Sequence, residues 1–234
     1  MRKTLAILGY HKIGPAPGEW NTWNYVSAND FEGQLEFLSQ NGWSVINVDT
    51  FLKGFDDPEL LSEKSVLITF DDAYRSIITV ALPLLKKFSY PAIVFVPTAF
   101  VGNYNSFDAD IFYEPKEDIC SWEELRELDR NNISIQSHGI SHCHFSQISA
   151  ETQFEEILVS KNLIQEKVGK EVFIFSFPYG DNGDDVPGME KILKAAGYKA
   201  AVLYGGGTIE PLSVNRFILP RIAMGSDTKL ESLV

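Results

Sequence analysis

SVLITFDDAYRSIITVALPLLKKFSYPAIVFVP, residues 65–97, decides the fold class. The run SVLITF is apolar and of strand length, and Asp71-Asp72 ends it abruptly. Ile77, Ile78, Ala81, Leu84 and Leu85 then recur at helical spacing, with Pro83 placed to bend the helix. AIVFVP supplies a second apolar run. Strand, helix and strand in this order imply a parallel pair with a helical crossover.

The same unit recurs on both sides. TLAILGY reads as the first strand, followed by a helix capped by Ser27, carrying Phe31, Leu35 and Leu38, and closed by Asn41-Gly42. WSVINV reads as a further strand. Beyond AIVFVP comes an irregular stretch near residues 99–119, then the helix WEELREL capped by Ser121, with Asn131-Asn132 ending it before the strand ISIQS. Residues 149–168 give the longest helical pattern, with Phe154, Ile157, Leu158 and Leu163 toward the core. VFIFSF, a helix near MEKILKAAG, KAAVLY and the extended NRFILPRIAM complete the chain. Seven or eight such units favour a barrel over an open sheet, in one domain spanning residues 1–234. In parallel α/β folds the functional residues collect at the C-terminal ends of the strands.

Composition narrows the function. Lys and Arg number 20 against 32 Asp and Glu, a net charge of −12, so the surface repels phosphate backbones and nucleic acid is not a partner. Two cysteines, Cys120 and Cys143, make no disulfide framework. The apolar run after Met1-Arg2-Lys3 is too short for a secretory leader, and no stretch is long enough to span a bilayer. As given, the chain reads as cytoplasmic, or as extracytoplasmic if a leader has been removed.

Three polar clusters fall at strand ends. In Thr69-Phe70-Asp71-Asp72, two adjacent carboxylates repel unless a cation or a proton intervenes; Asp72 alone could instead cap the following helix. SHGISHCHFS, residues 137–146, holds three of the four histidines in the chain. His138 and His142 are four apart, so on a helical turn both imidazoles face one way. With a carboxylate they form a two-His, one-carboxylate set; on a plain loop they would be polar surface. His144 reads as a supporting or structural histidine, and Cys143 as a small residue. In FSFPYGDNGDD, residues 175–185, Pro178-Tyr179-Gly180 makes a rigid turn. DNGDD lacks the spacing and closing Glu of a calcium loop. His11 follows the first strand, where it is either a strand-end histidine or a catalytic one. Trp20, Trp23 and Tyr25 are candidates for stacking on a sugar ring, or for ordinary packing.

Together the three clusters resemble the polysaccharide deacetylase family, metal-dependent carbohydrate esterases that remove N-acetyl groups from chitin-like and peptidoglycan-like sugars. The resemblance runs from about Leu8 to about Gly225 and rests on Thr69-Phe70-Asp71-Asp72, His138-Gly139-Ile140-Ser141-His142 and Phe177-Pro178-Tyr179-Gly180. It implies a distorted (β/α) barrel of about seven parallel strands. It also implies Asp71 as general base, Asp72, His138 and His142 as ligands of one divalent metal, and an oxyanion site at Pro178 and the Tyr179 amide. Zinc is the usual ion, with cobalt, nickel or iron possible.

Two positions depart from the family pattern. An Arg often precedes the third motif, where this chain has Ser176; and the usual C-terminal histidine is absent from FILPRIAM. A subgroup resembling poly-N-acetylglucosamine deacetylases instead begins with Tyr-His and ends with Pro-Arg-Ile, as Tyr10-His11 and Pro220-Arg221-Ile222 do here. His11 then becomes the proton donor and Arg221, with Arg216 as second candidate, the partner of Asp71. The implied activity is hydrolysis of N-acetyl groups from an amino sugar in a glycan or glycan precursor, releasing acetate. The alternatives are a catalytically silent carbohydrate-binding domain, motivated by the two departures, and a deacylase of a lipid- or nucleotide-linked sugar.

Overall fold

A computed structural model describes residues 3–18, 23–110 and 114–232. In chain order the elements are β1 (Thr4–Tyr10), β2 (Lys12–Ile13), β3 (Tyr25–Val26), α1 (Ala28–Gln40), β4 (Ser44–Val45), α2 (Val48–Lys53), β5 (Lys64–Phe70) and α3 (Leu82–Phe88). There follow β6 (Ala92–Val96), α4 (Ser106–Ala109), α5 (Trp122–Arg130), β7 (Ile133–Ser137), α6 (Ala150–Val168), β8 (Ile174–Ser176), α7 (Val186–Ala195), β9 (Ala200–Val202) and β10 (Ile222–Ala223).

Eight strands form one parallel sheet, seven of them in the order β10-β1-β5-β6-β7-β8-β9 and β4 paired beside β5 off that path. The pairing of β5 is divided along its length. Its first half holds β4 through Ser44 opposite Ser65, and its far end holds β6 through Thr69 opposite Ile93. The segment Leu219–Met224 meets both edges of the curled sheet: Leu219 bonds Ala201 and Leu203 beside β9, while Ile222 pairs with Leu8 of β1. That is the distorted (β/α) barrel of the deacetylase type.

Strand alternation divides the core in two. Leu5, Ile7, Leu67, Ile93, Phe95, Ile174, Val202 and Leu219 pack together inside the barrel. Ala6, Leu8, Val66, Ile68, Ile133, Ile135, Phe175 and Ala201 face the helices. Carried two residues at a time past the strand ends, the inner set arrives at His11, Asp71, His138, Ser176, Tyr204 and Arg221. Parity alone therefore delivers a polar group from each strand of this path except β6, whose inner set Ile93 and Phe95 runs on to Pro97, to one end of the barrel.

Local differences from the sequence pattern have local causes. Only Ser44–Val45 of WSVINV is strand, because Asn47 accepts from the Thr50 amide at 2.9 Å and starts α2 at Val48. Before Pro83 the chain takes a π-helical turn, Ile77–Ala81, and the proline then sits in the first turn of α3 where its missing N–H costs nothing. On α6, Phe154 is exposed and Leu163 only half-buried. The buried stripe is instead Glu156, Ile157, Ser160, Lys161 and Ile164, shifted because Glu156 serves the loop after β7. Ser121 and Glu124 close α5 with a reciprocal capping box. Among the described residues, no helix is long and apolar enough to cross a membrane.

Candidate metal and catalytic site

Parity explains Asp71 but not Asp72, which as its neighbour would point to the opposite face. The chain solves this with backbone strain. Asp72 and Ala73 take φ of 67° and 55°, left-handed values that cost a non-glycine residue about 1–2 kcal/mol each. The Asp71 amide donates to Tyr10 and the Cys120 amide to Ala73, both at 2.9 Å, which holds the strained turn. Both carboxylates thus enter the same site. Asp72 caps nothing: the helical turn begins at Ile77, and Asp72 Oδ1 is buried without a hydrogen-bond partner.

His138 and His142 come together on a loop, not on the helical turn that their spacing suggests. Gly139 and His142 take φ of 79° and 53°. The loop is fastened by Glu156, whose carboxylate accepts from Ile140 N, Ser141 N and Ser141 Oγ at 2.6, 3.1 and 2.7 Å. Sequence reasoning missed Glu156: it follows Glu155 on a stripe that also carries Ser160 and Lys161, so nothing in the sequence singles it out. His138 Nδ1 lies 2.7 Å from the Ser176 carbonyl, a contact that requires the proton on Nδ1 and turns the Nε2 lone pair inward. His138 Nε2 and His142 Nε2 then face Asp72 Oδ1 at 3.4 and 3.1 Å.

These donors fit a metal ion. One ligand atom from each of Asp72, His138 and His142 lies within 4.8 Å of the others, and all three residues are buried. Ligands about 2.1 Å from a common centre stand roughly 3.0–3.4 Å apart. The orphaned Asp72 Oδ1 is the atom such an ion would satisfy.

Charge is distributed unevenly. Burial pushes His138 down to about 4, against the pull of Asp71 and Asp72, so it is neutral and ready to ligate. Burial also acts to lower His142, but the charge of the Asp72 carboxylate 3.1 Å away outweighs it and the net shift is upward. Asp72 itself, which burial would raise, is held below the usual carboxylate range by His142 and His138.

Asp71 has different partners. Arg221 Nη1 reaches Asp71 Oδ1 at 2.8 Å and Nη2 reaches Oδ2 at 2.6 Å. Arg221 also donates to Ser176 Oγ at 3.0 Å and Leu203 O at 2.6 Å. Burial would raise Asp71, and Arg221 more than offsets it, leaving the carboxylate below its ordinary pKa. Arg216, the second candidate, is instead bound to Asp56 on the surface.

His11 Nε2 stands 3.9 Å from Asp72 Oδ2 and 4.0 Å from Asp71 Oδ2. Burial lowers its pKa, partly opposed by Asp72 and Asp71. Tyr204 lies edge-on to it, with ring centroids 5.0 Å apart.

Pro178 is buried in the turn after β8, and Tyr179 takes the left-handed φ of 58°. The Tyr179 ring stacks on His144 at 4.1 Å and meets His142 edge-on at 4.6 Å. His144 also faces Asp181 at 3.4 Å, a supporting position outside the ligand set. DNGDD works as turn and cap: Asp181 accepts from Ser146 and Gly183, and Asp185 caps α7. Tyr25 is buried, its hydroxyl 2.5 Å from Glu117, and Trp23 donates to Asp227, so both are engaged in packing. Trp20 lies outside the described residues.

A curled parallel barrel with an Asp-His-His cluster and a carboxylate beside it defines a class of metal-dependent hydrolases. The chain belongs to the polysaccharide deacetylase family, whose sequence profile it matches over residues 60–201. It is 29% identical over 215 residues to YxkH of Bacillus subtilis, itself provisionally named a polysaccharide deacetylase, covering 91% of this chain and 67% of that protein. It is 28% identical over 222 residues to the poly-beta-1,6-N-acetyl-D-glucosamine N-deacetylase of Staphylococcus aureus, covering 90% and 71% of the two chains. Its fold matches the Streptococcus pyogenes deacetylase PplD, solved with acetate, at a TM-score of 0.84 and 22% identity over 99% of this chain and 96% of that one. The family match thus makes the chain a member of the polysaccharide deacetylases, and removal of an N-acetyl group from a poly-N-acetylglucosamine is what the Staphylococcus aureus relative is named for.

Proposed function

We propose that the protein is a zinc-dependent N-deacetylase of glycans containing N-acetylglucosamine, with Asp71 as general base and His11 as general acid. The observation that carries this division of labour is the place of His11, whose Nε2 lies within 4.0 Å of both carboxylates and on no ligand position. A borderline set of two imidazoles and one carboxylate favours zinc.

A divalent cation held by Asp72, His138 and His142 supplies Lewis acidity, polarising a carbonyl oxygen and acidifying water. The residues do the rest. Asp71, forked by Arg221, is held ionised with a fixed lone-pair direction. A carboxylate kept far below neutral pH is a weak base, so it suits only water that is already acidified. The Tyr179 amide stabilises the developing oxyanion. His11 gives its proton to the departing sugar amine. The 4.0 Å between His11 Nε2 and Asp71 Oδ2 then lets the proton on Asp71 return to His11 through one intervening water.

The silent-domain alternative loses its motive. Its two grounds were the missing Arg at Ser176 and the missing C-terminal histidine; Arg221 contacts both Asp71 and Ser176, and His11 stands beside Asp71. The test is acetate release from β-1,6-linked N-acetylglucosamine oligomers by metal-stripped protein given zinc or cobalt. Stoichiometric metal uptake with no acetate from any N-acetylated glycan would sink the proposal. Release from nucleotide- or lipid-linked N-acetylglucosamine alone would move it to a precursor.

A further inference from the structure

We infer that Phe107 is a positioning residue for the metal centre: its ring, in place of a hydrogen bond, sets the plane of the His142 imidazole. The inference rests on the ligand role proposed above for His142. Phe107 lies in α4, within the long excursion between β6 and α5, and belongs to none of the three motif clusters.

The two imidazoles of the cluster are held differently. A ligating histidine ordinarily gives its second ring N–H to a carbonyl or a carboxylate, which sets both the tautomer and the orientation of the ring. His138 follows that rule through Ser176 O, 2.7 Å from its Nδ1. His142 does not: its Nδ1 is buried and has no hydrogen-bond partner among the described residues. The contact of Nε2 with Asp72 fixes one atom of the ring and leaves its plane open. Glu156 holds the loop at Ile140 and Ser141, one residue short of His142.

Aromatic packing supplies what is missing. The Phe107 and His142 rings lie 4.1 Å apart, centroid to centroid, and are inclined by 34°. Tyr179 and His138 meet His142 more nearly edge-on, at 4.6 and 5.0 Å. Tyr179 is also 38% exposed, whereas Phe107 is 4% exposed and can act as a fixed wall. Phe107 is itself backed. Phe100 packs edge-on against it at 4.7 Å, and the buried Asn105 side chain spans Pro115 O and Glu117 N at 3.1 and 2.8 Å at the start of α4. The excursion is registered on the histidine loop where it begins, since the Thr98 and Ala99 amides donate to Gly139 O and Ile140 O, both at 3.0 Å. Filling the core asks only for apolar bulk at position 107. A flat ring is what a flat imidazole needs against its face.

The experiment compares Phe107→Leu, Phe107→Met, Phe100→Leu and His142→Ala with the wild-type chain. Zinc affinity is measured by chelator competition on metal-stripped protein, the denaturation midpoint with and without zinc, and ligand geometry by the visible absorption of the cobalt-loaded protein. Phe107→Leu and Phe107→Met keep apolar bulk and lose the plane. Each should weaken zinc binding about 10- to 100-fold, shrink the zinc-induced rise in midpoint to match, and alter the cobalt spectrum. Phe100→Leu loosens the same excursion one ring further from His142 and should leave zinc affinity nearly intact. Wild-type zinc affinity in both Phe107 variants overturns the inference. So does a loss in Phe100→Leu equal to theirs, which would trace the effect to general loosening of the excursion. His142→Ala separates the inference from its premise, and should cost more zinc affinity than either Phe107 variant. Zinc binding intact in His142→Ala would strike the ligand role of His142 and the inference with it; zinc binding lost there but intact in the Phe107 variants strikes the inference alone.

Discussion

Arg221 and Asp71, 150 residues apart in sequence, meet as a parallel fork with both oxygens engaged at 2.8 and 2.6 Å, and both side chains are buried. A bidentate guanidinium fixes direction as well as charge, which a lysine cannot do. Arg221→Lys should therefore fold but lose about 10- to 100-fold in kcat. Arg221→Ala leaves a buried carboxylate unpaired and should destabilise the fold by about 3–5 kcal/mol, seen in denaturant titration. Because the folded pKa of Asp71 is depressed, its stabilisation is present above the unfolded value and is lost as pH falls through the folded one. Arg221→Ala should abolish that acid-side dependence. Kinetic effects of Arg221→Ala and Asp71→Asn that simply add would show that the fork does not serve the base.

His11 offers the cleanest separation of roles. It lies 3.9 Å from Asp72 but outside the Asp72, His138 and His142 cluster. His11→Ala should cut acetate release by about 10²–10⁴ while zinc per chain, measured by elemental analysis, stays at the wild-type value. Loss of the metal together with activity would make His11 a ligand and leave the proton donor unassigned.

Much of this site is written in strand parity. Leu5, Ile7 and then His11, or Leu67, Thr69 and Asp71, lie on one face of a continuing strand, and a two-residue period predicts as much. Asp72 and His142 escape that logic because each depends on a left-handed backbone residue, which no periodicity announces. The fork to Arg221 was legible only because the Arg expected at Ser176 was missing and Pro220-Arg221-Ile222 matched a segment of the resembling subgroup. Glu156 was invisible for another reason. It acts through hydrogen bonds to a loop, and such contacts leave no pattern in a single sequence.

Metal binding should release protons, and the pH range follows from the two histidines. His138, down at about 4, is already neutral, whereas His142 is raised above its ordinary value of about 6.5 and must lose a proton to ligate. Zinc affinity should fall about tenfold per pH unit below the His142 pKa, measured by calorimetry in buffers of different ionisation enthalpy. In the metal-free protein the signs run oppositely for the two partners. The raised His142 stabilises below about 6.5 and loses its effect as pH rises through its folded pKa; the depressed Asp72 stabilises above about 3.9 and loses its effect as pH falls. Chelator-treated protein should thus draw most from this pair between about pH 4 and 6.5, and zinc should add most stability above that window. A zinc affinity flat from pH 5 to 8 would mean that His142 is not a ligand.

Glu156 makes the last prediction, because it touches no ligand atom and yet governs where two of them lie. Its carboxylate closes the His138–His142 loop through three hydrogen bonds, two of them to backbone amides that are otherwise without secondary structure. Both amides share Oε2, so glutamine can place its oxygen there and donate to the Ser141 hydroxyl, whereas alanine leaves all three donors without an acceptor. Glu156→Ala should therefore cost about 1–3 kcal/mol of stability in the metal-free protein and about 10- to 100-fold in zinc affinity, read by chelator competition, with Glu156→Gln milder in both. Gly139→Ala attacks the same joint from the other side. A Cβ there would meet Glu156 Oε2 at 2.9 Å on a backbone with φ of 79°, so it should weaken zinc binding in the same direction. A thermal shift in both alanine variants with zinc affinity untouched would show that Glu156 fastens the loop without placing the histidines.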